Sequence, residues 1–266
     1  MVKKELKIVL ASIFIALAIA CTTTSTYSQK NIEQVIERLC QEEFDIVVNA
    51  WLVGEALWVH VPLDKILDKT GKPTADFSKK TRQIFLTLKR AFLNMDNPPK
   101  FYCFVVSDIK DKGIDFYRIG FVPDLIKFQM GLISLEQFNQ RMVFVSFENK
   151  ETLGDNEGSH IVQYNINIGD FIGYLIRQEL KNVFISYSDR ATIKRIQSYY
   201  QKGKLGIVFD IEIDKENKNI PESFNKTKEI IKKYLKIYGR PKEIIEIEIA
   251  NSSGKKSIFT QSALFD

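Results

Sequence analysis

Two histidines, a set of alternating carboxylates and one serine–lysine spacing are the places where this chain could carry chemistry. His60 alternates with Val59 and Val61 in an apolar run, so on a strand it points to the opposite face from them. His160 follows a polar stretch. Imidazole titrates near neutrality and binds metals, but a lone histidine on a strand reads as a surface or hydrogen-bond-satisfied residue. Asp210, Glu212 and Asp214 share one face of a second strand, and Glu246 and Glu248 share a face of a third. Converging carboxylates can hold Ca²⁺, yet no loop of EF-hand spacing accompanies them. They read as a solvated sheet face balanced by Lys202, Lys204, Lys255 and Lys256, with Ile207, Phe209, Ile211 and Ile213 turned inward. H-x-x-x-H, C-x-x-C, G-x-S-x-G, G-x-G-x-x-G and the P-loop are all absent, which removes the common zinc, thioredoxin-like, α/β-hydrolase and nucleotide readings. The sequence therefore implies no cofactor, no metal and no catalytic residue.

The serine–lysine spacing is Ser107-Asp108-Ile109-Lys110. With Ser188-Asp189-Arg190 and Lys69-Thr70-Gly71 it resembles the three pieces of penicillin-binding enzymes, in which a serine nucleophile works beside a lysine. The order departs from that family, since the Lys-Thr-Gly piece comes first, and the third position of the second piece is Arg190. Ser107 ends a strand, so no helical turn brings Lys110 over it. Ser188 stands where a helix cap would stand.

The N-terminus carries a more specific pattern. Lys3, Lys4 and Lys7 form a basic head, and Ile8 to Ala20 is apolar apart from Ser12. Such a run is short of the roughly 20 apolar residues that span a bilayer and has the build of a secretory signal. It ends Leu17-Ala18-Ile19-Ala20-Cys21. That ending resembles a bacterial lipoprotein signal, with Ala18 at the position where the family prefers a larger aliphatic residue. The resemblance implies cleavage before Cys21, acyl chains (palmitate among them) on that cysteine, and firm retention by several chains together. Thr22 rather than Asp follows the cysteine. By the same resemblance this implies the periplasmic side of the outer membrane, if the cell has one.

Removing the signal at residues 1–20 leaves enough chain for one large domain or two small ones. The 266 residues are 45% hydrophobic and 27% charged, which excludes a disordered chain. Lys3, Lys4, Lys7 and Glu5 together supply +2 of the net +5, and the remaining +3 is too little to imply nucleic acid. Cys40 lies on an apolar helix face beside Val35, Ile36 and Leu39, and Cys103 lies inside an apolar strand. Both read as buried thiols.

Periodicity supplies the rest of the organisation. Residues 21–30 read as a tether and 31–148 and 149–266 as two α+β lobes, with the polar 149–159 stretch between them. A helix follows Asn31. Residues 45–50 and 56–61 form a hairpin around Gly54, and a helix begins at Phe77 with Ile84, Phe85, Leu88, Phe92 and Met95 on its core face. Residues 101–107 and 114–121 form a second hairpin, followed by two short helices and a strand at 143–147. Further on, 161–167 reads as a strand, 170–180 as a helix, 183–187 as a strand and 190–200 as a helix. Residues 205–214, 243–250 and 257–264 read as strands, with a helix at 224–238. Punctuation repeats along the chain. Phe77-Ser78-Lys79 recurs as Phe224-Asn225-Lys226, Pro99-Lys100 as Pro241-Lys242, and Gly113 as Gly254. The fold expected is α+β, with antiparallel sheets, helices packed on one face and two related β-α-β-β units at 55–121 and 204–264. The function expected is a non-enzymatic binding or assembly module, held to the membrane by lipid, with a protein partner in the envelope. The competing readings are an envelope hydrolase with dispersed Ser, Asp and Glu residues, and a carrier of an apolar ligand, for which a cavity lined by Phe and Tyr would be needed.

Overall fold

The computed structural model describes residues 27–186, 191–213, 223–251 and 254–265. The chain is α+β as expected, but its two sheets are mixed rather than antiparallel, because in each a helical crossover returns the chain to lay one pair of strands parallel. Helix α1 (Ile32–Phe44) buries Ile32, Val35, Ile36, Leu39 and Cys40 along one stripe. It ends where Asp45 takes a left-handed conformation, φ 55°. A hairpin of β1 (Asn49–Val53) and β2 (Ala56–Leu63) turns at Gly54, φ 61°. Helix α2 (Ala75–Leu93), capped by the Thr74 hydroxyl, returns the chain so that β3 (Phe101–Asp108) runs parallel to β2. β4 (Ile114–Phe121) pairs antiparallel with β3. After helices α3 (Val122–Gln129) and α4 (Leu135–Gln140), β5 (Val143–Glu148) closes a five-stranded sheet of sequential order.

The second half repeats this plan. Helix α5 (Ile168–Ile185) precedes a hairpin of β6 (Ala191–Gln201) and β7 (Lys204–Ile213). Helix α6 (Ser223–Ile237) then crosses to β8 (Glu246–Asn251), parallel to β7, and β9 (Lys256–Thr260) pairs back antiparallel. The expected β-α-β-β pairing is thus present in both halves, and the shared unit is longer: α-β-β-α-β-β.

Alternation along the strands explains the layering. One face of the first sheet, with Leu57, Val59, Val61, Tyr102, Phe104 and Val106, packs against α1, α2, α3 and α4. The other face, with Ala56, Trp58, Phe101, Cys103 and Val105, shares a single core with α5, α6 and the inner face of the second sheet. Helices α5 and α6 therefore lie between the sheets. This is why β3 is buried along its whole length and why α5 buries eight residues around its girth. Gly169 and Gly173 bring α5 close to β6: a Cβ on Gly169 would lie 2.3 Å from the Tyr200 ring, and one on Gly173 would lie 3.1 Å from Ser198.

Both open edges of the first sheet are covered by side chains. Glu37 and Glu33 of α1 accept the outward amides of Ala50 and Leu52 on β1. Gln178 of α5 accepts from the Phe144 amide and donates to the Met142 carbonyl beside β5. Occupied edge groups blunt strand-to-strand aggregation.

Three expected elements differ. Residues 161–167 form no strand; they cross beneath the first sheet, where the Trp58 indole donates to the Tyr164 carbonyl. Val183 to Ile185 is the end of α5, because Phe184 belongs to its buried stripe and the helix needs no stop before Ser186. The expected helix at 190–200 is strand β6, with its supposed caps Ser188 and Asp189 outside the described residues. A bulge between Ile193 and Arg195 is the reason. One extra residue turns an alternating strand pattern into a spacing of three, so Ile193 and Ile196 imitate a helix face. The β1 strand also begins later than expected, after the loop that carries Ile46 and Val48 into the core.

Candidate functional site

The two histidines come together. On the α5-side face of the first sheet, beyond the cover of α5, β2 presents His60, β3 presents Ser107 and β4 presents Asp115. The loop after β5 folds over this region and brings Thr152, Asp155 and His160 onto it. His160 contacts Asp155 Oδ2 through Nδ1 at 2.6 Å and Asp115 Oδ1 through Nε2 at 3.1 Å. Ser107 donates to Asp115 Oδ1 at 2.6 Å and Thr152 to Asp115 Oδ2 at 3.0 Å. Asp155 also accepts from the Gly158 and His160 amides and the Ser159 hydroxyl. Burial raises its carboxyl, but these bonds outweigh burial and hold it far below the usual carboxylate range.

His60 departs from the expected surface or satisfied residue. It is fully buried, its Nδ1 lies 3.3 Å from Asn49 Nδ2, and its Nε2 has no partner. Burial first, then the neighbouring His160, push its pKa from 6.5 to about 4. The cluster has the residue types of a nucleophilic triad and the wrong order of contacts. A serine is activated when its hydroxyl proton goes to imidazole. Here Ser107 gives its proton to Asp115, and the serine and the histidine are both closed off from solvent. The arrangement is a fastener: strands β3 and β4 and the 149–160 loop meet on one carboxylate.

The other sequence candidates do not converge. Lys110 pairs with Asp64, away from Ser107. The Lys69–Gly71 turn is held by Asp68, which accepts from the Thr70 amide and hydroxyl. Glu246 and Glu248 face outward on β8 and are neutralised by Lys204 and Lys256. Lys255 instead lies over the Phe224 ring. Asp214 and Cys21 are outside the described residues. Among the described residues no group of three His, Cys, Asp or Glu side chains is placed to hold a metal ion, and no helix is long and apolar enough to cross a membrane. Cys40 and Cys103 are free and buried. Burial pushes the Cys40 thiol up to about 11 and that of Cys103 well above its ordinary value.

A cleft of about 550 Å³ opens at the opposite end of the sheets. It lies where the starts of β2 and β3 meet the end of β6 and the loop after α6. Phe101, Phe121, Tyr238, Ile168, Ile237 and Tyr200 give it an apolar floor. Phe121 and Tyr238 meet edge to face, with centroids 5.8 Å apart. Tyr238 donates to Asp124, itself buried and bonded to Arg141, so α6 is pinned to the N-terminus of α3 as the back wall. Tyr200 donates to the Glu243 carbonyl and fixes the opposite wall. The rim carries Glu55 paired with Lys100 at 2.6 Å, together with Lys127, Glu243 and Asn167. No sequence signal marked this cleft, because its residues come from seven separated segments and the apolar ones read locally as core. Asp115 was findable: it is a charge on the inward face of an aromatic strand, beside Tyr117 and Ile119.

Comparison with known protein families, curated proteins and solved structures finds no match to this chain.

Proposed function

We propose that the chain is a lipid-anchored, non-enzymatic binding module of the cell envelope, and that the cleft between its two repeat units receives the ligand. The observation that carries this reading is the cleft itself: an aromatic floor, a rim with hydrogen-bonding groups of both signs, and a volume in the range of small-molecule sites. Its walls are pinned by the Tyr238–Asp124 and Tyr200–Glu243 hydrogen bonds, so it is formed without a ligand. The Phe and Tyr lining favours an apolar body on whatever binds, either a small ligand or a side chain of an envelope partner. The hydrolase reading loses support because the cluster with catalytic residue types found among the described residues is covered and its serine is bonded to aspartate.

The test uses an uncharged fluorescent probe, N-phenyl-1-naphthylamine, with the purified mature protein. One probe should bind per chain. Filling the cleft by Ile168→Trp, or independently by Ile237→Trp, should weaken binding by about tenfold or more, the effect of losing roughly 1.4 kcal/mol of contact. Equal probe affinity in folded variants would overturn the assignment.

A further inference from the structure

The cleft mouth and the N-terminal entry of the chain share one end of the molecule. Ala56, Phe101 and Phe121 are aligned at that end of the first sheet, and Gln201, Lys204, Glu246 and Thr260 at that end of the second. Tyr27, the first described residue, donates its amide to the Asn94 carbonyl, and Gln29 accepts from the Asn97 side chain. Three residues after Asn97 the chain reaches Lys100 and Phe101, both of which line the cleft.

The same end presents an apolar side chain among cations. Ile245 is 66% exposed. The Lys202–Gly203 turn, with φ 50° and 80°, holds it out: the Ile245 amide donates to the Gly203 carbonyl at 2.7 Å. Lys202, Arg240 and Lys242 are all exposed. Arg240 is fixed by stacking 3.9 Å over the Phe265 ring. It alternates along one loop with Gly239, Pro241 and Glu243, which line the cleft. The carboxylates of this end include Glu55, Asp96, Glu243 and Glu246, of which Glu55 is neutralised by Lys100 and Glu246 by Lys204. A single exposed isoleucine means little by itself. Held beside the Lys202–Gly203 turn, with Arg240 and Lys242 exposed on the loop that lines the apolar cleft, it has the chemistry of an interfacial contact, in which an apolar side chain enters the headgroup boundary and basic side chains meet anionic lipid.

We propose that this end seats on an anionic lipid surface through Lys202, Arg240, Lys242 and Ile245, so that the cleft opens toward the membrane. The proposal draws on the reading of an anchored protein, because a short tether entering at this end would hold this end nearest the bilayer. It also stands on the charge pattern without the anchor. It gives the cleft a source of ligand: the hydrocarbon of membrane lipids.

The test places a fluorophore on the full mature protein by Ala263→Cys, at the proposed membrane end, or by Leu153→Cys, at the far end. Acylation blocks the Cys21 sulfur, Cys21→Ser removes it from the unacylated chain, and Cys40 and Cys103 are buried, so the introduced thiol takes the label. Vesicles carry brominated acyl chains as quenchers, with either neutral or anionic headgroups. On anionic vesicles the label at 263 should lose fluorescence and the label at 153 should not. The charge reversal Lys202→Glu, Arg240→Glu, Lys242→Glu should abolish the loss, and Ile245→Ser should reduce it. In the unacylated chain, three basic contacts predict anionic-over-neutral preference on the order of 100-fold. Equal behaviour of the two labels, or a loss at 263 that survives charge reversal, overturns the proposal. Failure of the acylated protein to float with neutral vesicles would sink the anchor reading alone, since the anionic arm still reports the contact. Quenching of neither label, with capture of an apolar peptide by the cleft, would assign this end to a protein partner.

Discussion

His60 makes a quantitative prediction about acid. Its imidazole is fully buried on the first sheet, stacked near Trp51 and edge-on to His160 at 5.8 Å between centroids. Burial, then the second imidazole, lower its folded pKa from 6.5 to about 4, against smaller opposing pulls from Asp155 and Asp115. The unfolded chain therefore binds the proton more tightly. Stability from this residue is complete above about pH 6.5 and is lost as pH falls from there toward about 4. Lowering the pH from about 8 to about 5 should cost about 2 kcal/mol through His60 alone. Asp155, the depressed carboxylate of the cluster, adds almost nothing in this window, because its loss begins only as the pH falls through the ordinary carboxylate value of 3.8. Urea unfolding followed by tryptophan fluorescence is the assay, with Trp51 and Trp58 as reporters on the same face. His60→Gln keeps an acceptor for Asn49 and removes the titration. The pH dependence of the wild type minus that of the variant isolates the histidine. If the two stabilities fall in parallel between about pH 8 and 5, the buried-neutral assignment is wrong.

Two further predictions concern the fastener and the anchor. Asp115→Ala leaves the Ser107, Thr152 and His160 donors without their common acceptor. It should cost about 3–5 kcal/mol and open the 149–160 loop to proteolysis, whereas Thr152→Val should cost about 1 kcal/mol; loop cleavage at the wild-type rate in Asp115→Ala would contradict the fastener. Cys21→Ser should leave the precursor uncut and without acyl label in cells fed a tagged fatty acid, and normal cutting with membrane retention would contradict the lipoprotein reading.

Much of the fold could be read from residue pattern, for identifiable reasons. Helix α1 followed from one apolar stripe, and the hairpins from Gly54 and Gly113. The repeat was legible because Pro99-Lys100 and Pro241-Lys242 open equivalent strands, and the parallel pairing of β2 with β3 and of β7 with β8 matches. Strand β6 was not legible, because a bulge shifted its period to one that a helix also satisfies. Helix α5 was cut short for a related reason: Val183 and Phe184 are β-formers by propensity and are helical because α5 is packed on both sides. The candidate sites were legible only in part. His60 and His160 stood out as residue types, but nothing local shows that a loop carries the second onto the first, about a hundred residues away in sequence. The cleft is assembled wholly by tertiary contact.

The repeat explains why the cleft lies where it does. Each unit has a sheet with helices on one face, and a second unit can stack on the first by laying its helices against the free face of the first sheet. That gives a stack of helices, sheet, helices, sheet, in which every inner surface is apolar. The outer face of the last sheet must then be polar, as terminal layers of stacked repeats are, and it carries Glu246, Glu248, Lys204 and Lys256 in mutual pairs. Stacking is complete along the middle of the helices, where Leu175, Ile176 and Leu235 are fully buried. It gives way at the two ends of the seam, where the Asp115 cluster and the cleft lie. At one end the chain spends its longest loop on closure, and the polar surfaces trapped there become the Asp115 fastener. At the other end no loop of comparable length is present among the described residues, the aromatic ends of β3, β4 and α6 stay uncovered, and the cleft is what remains. A ligand there would replace contacts that the stacking geometry leaves unmade, which is why the proposed binding site lies at the seam rather than in either unit alone.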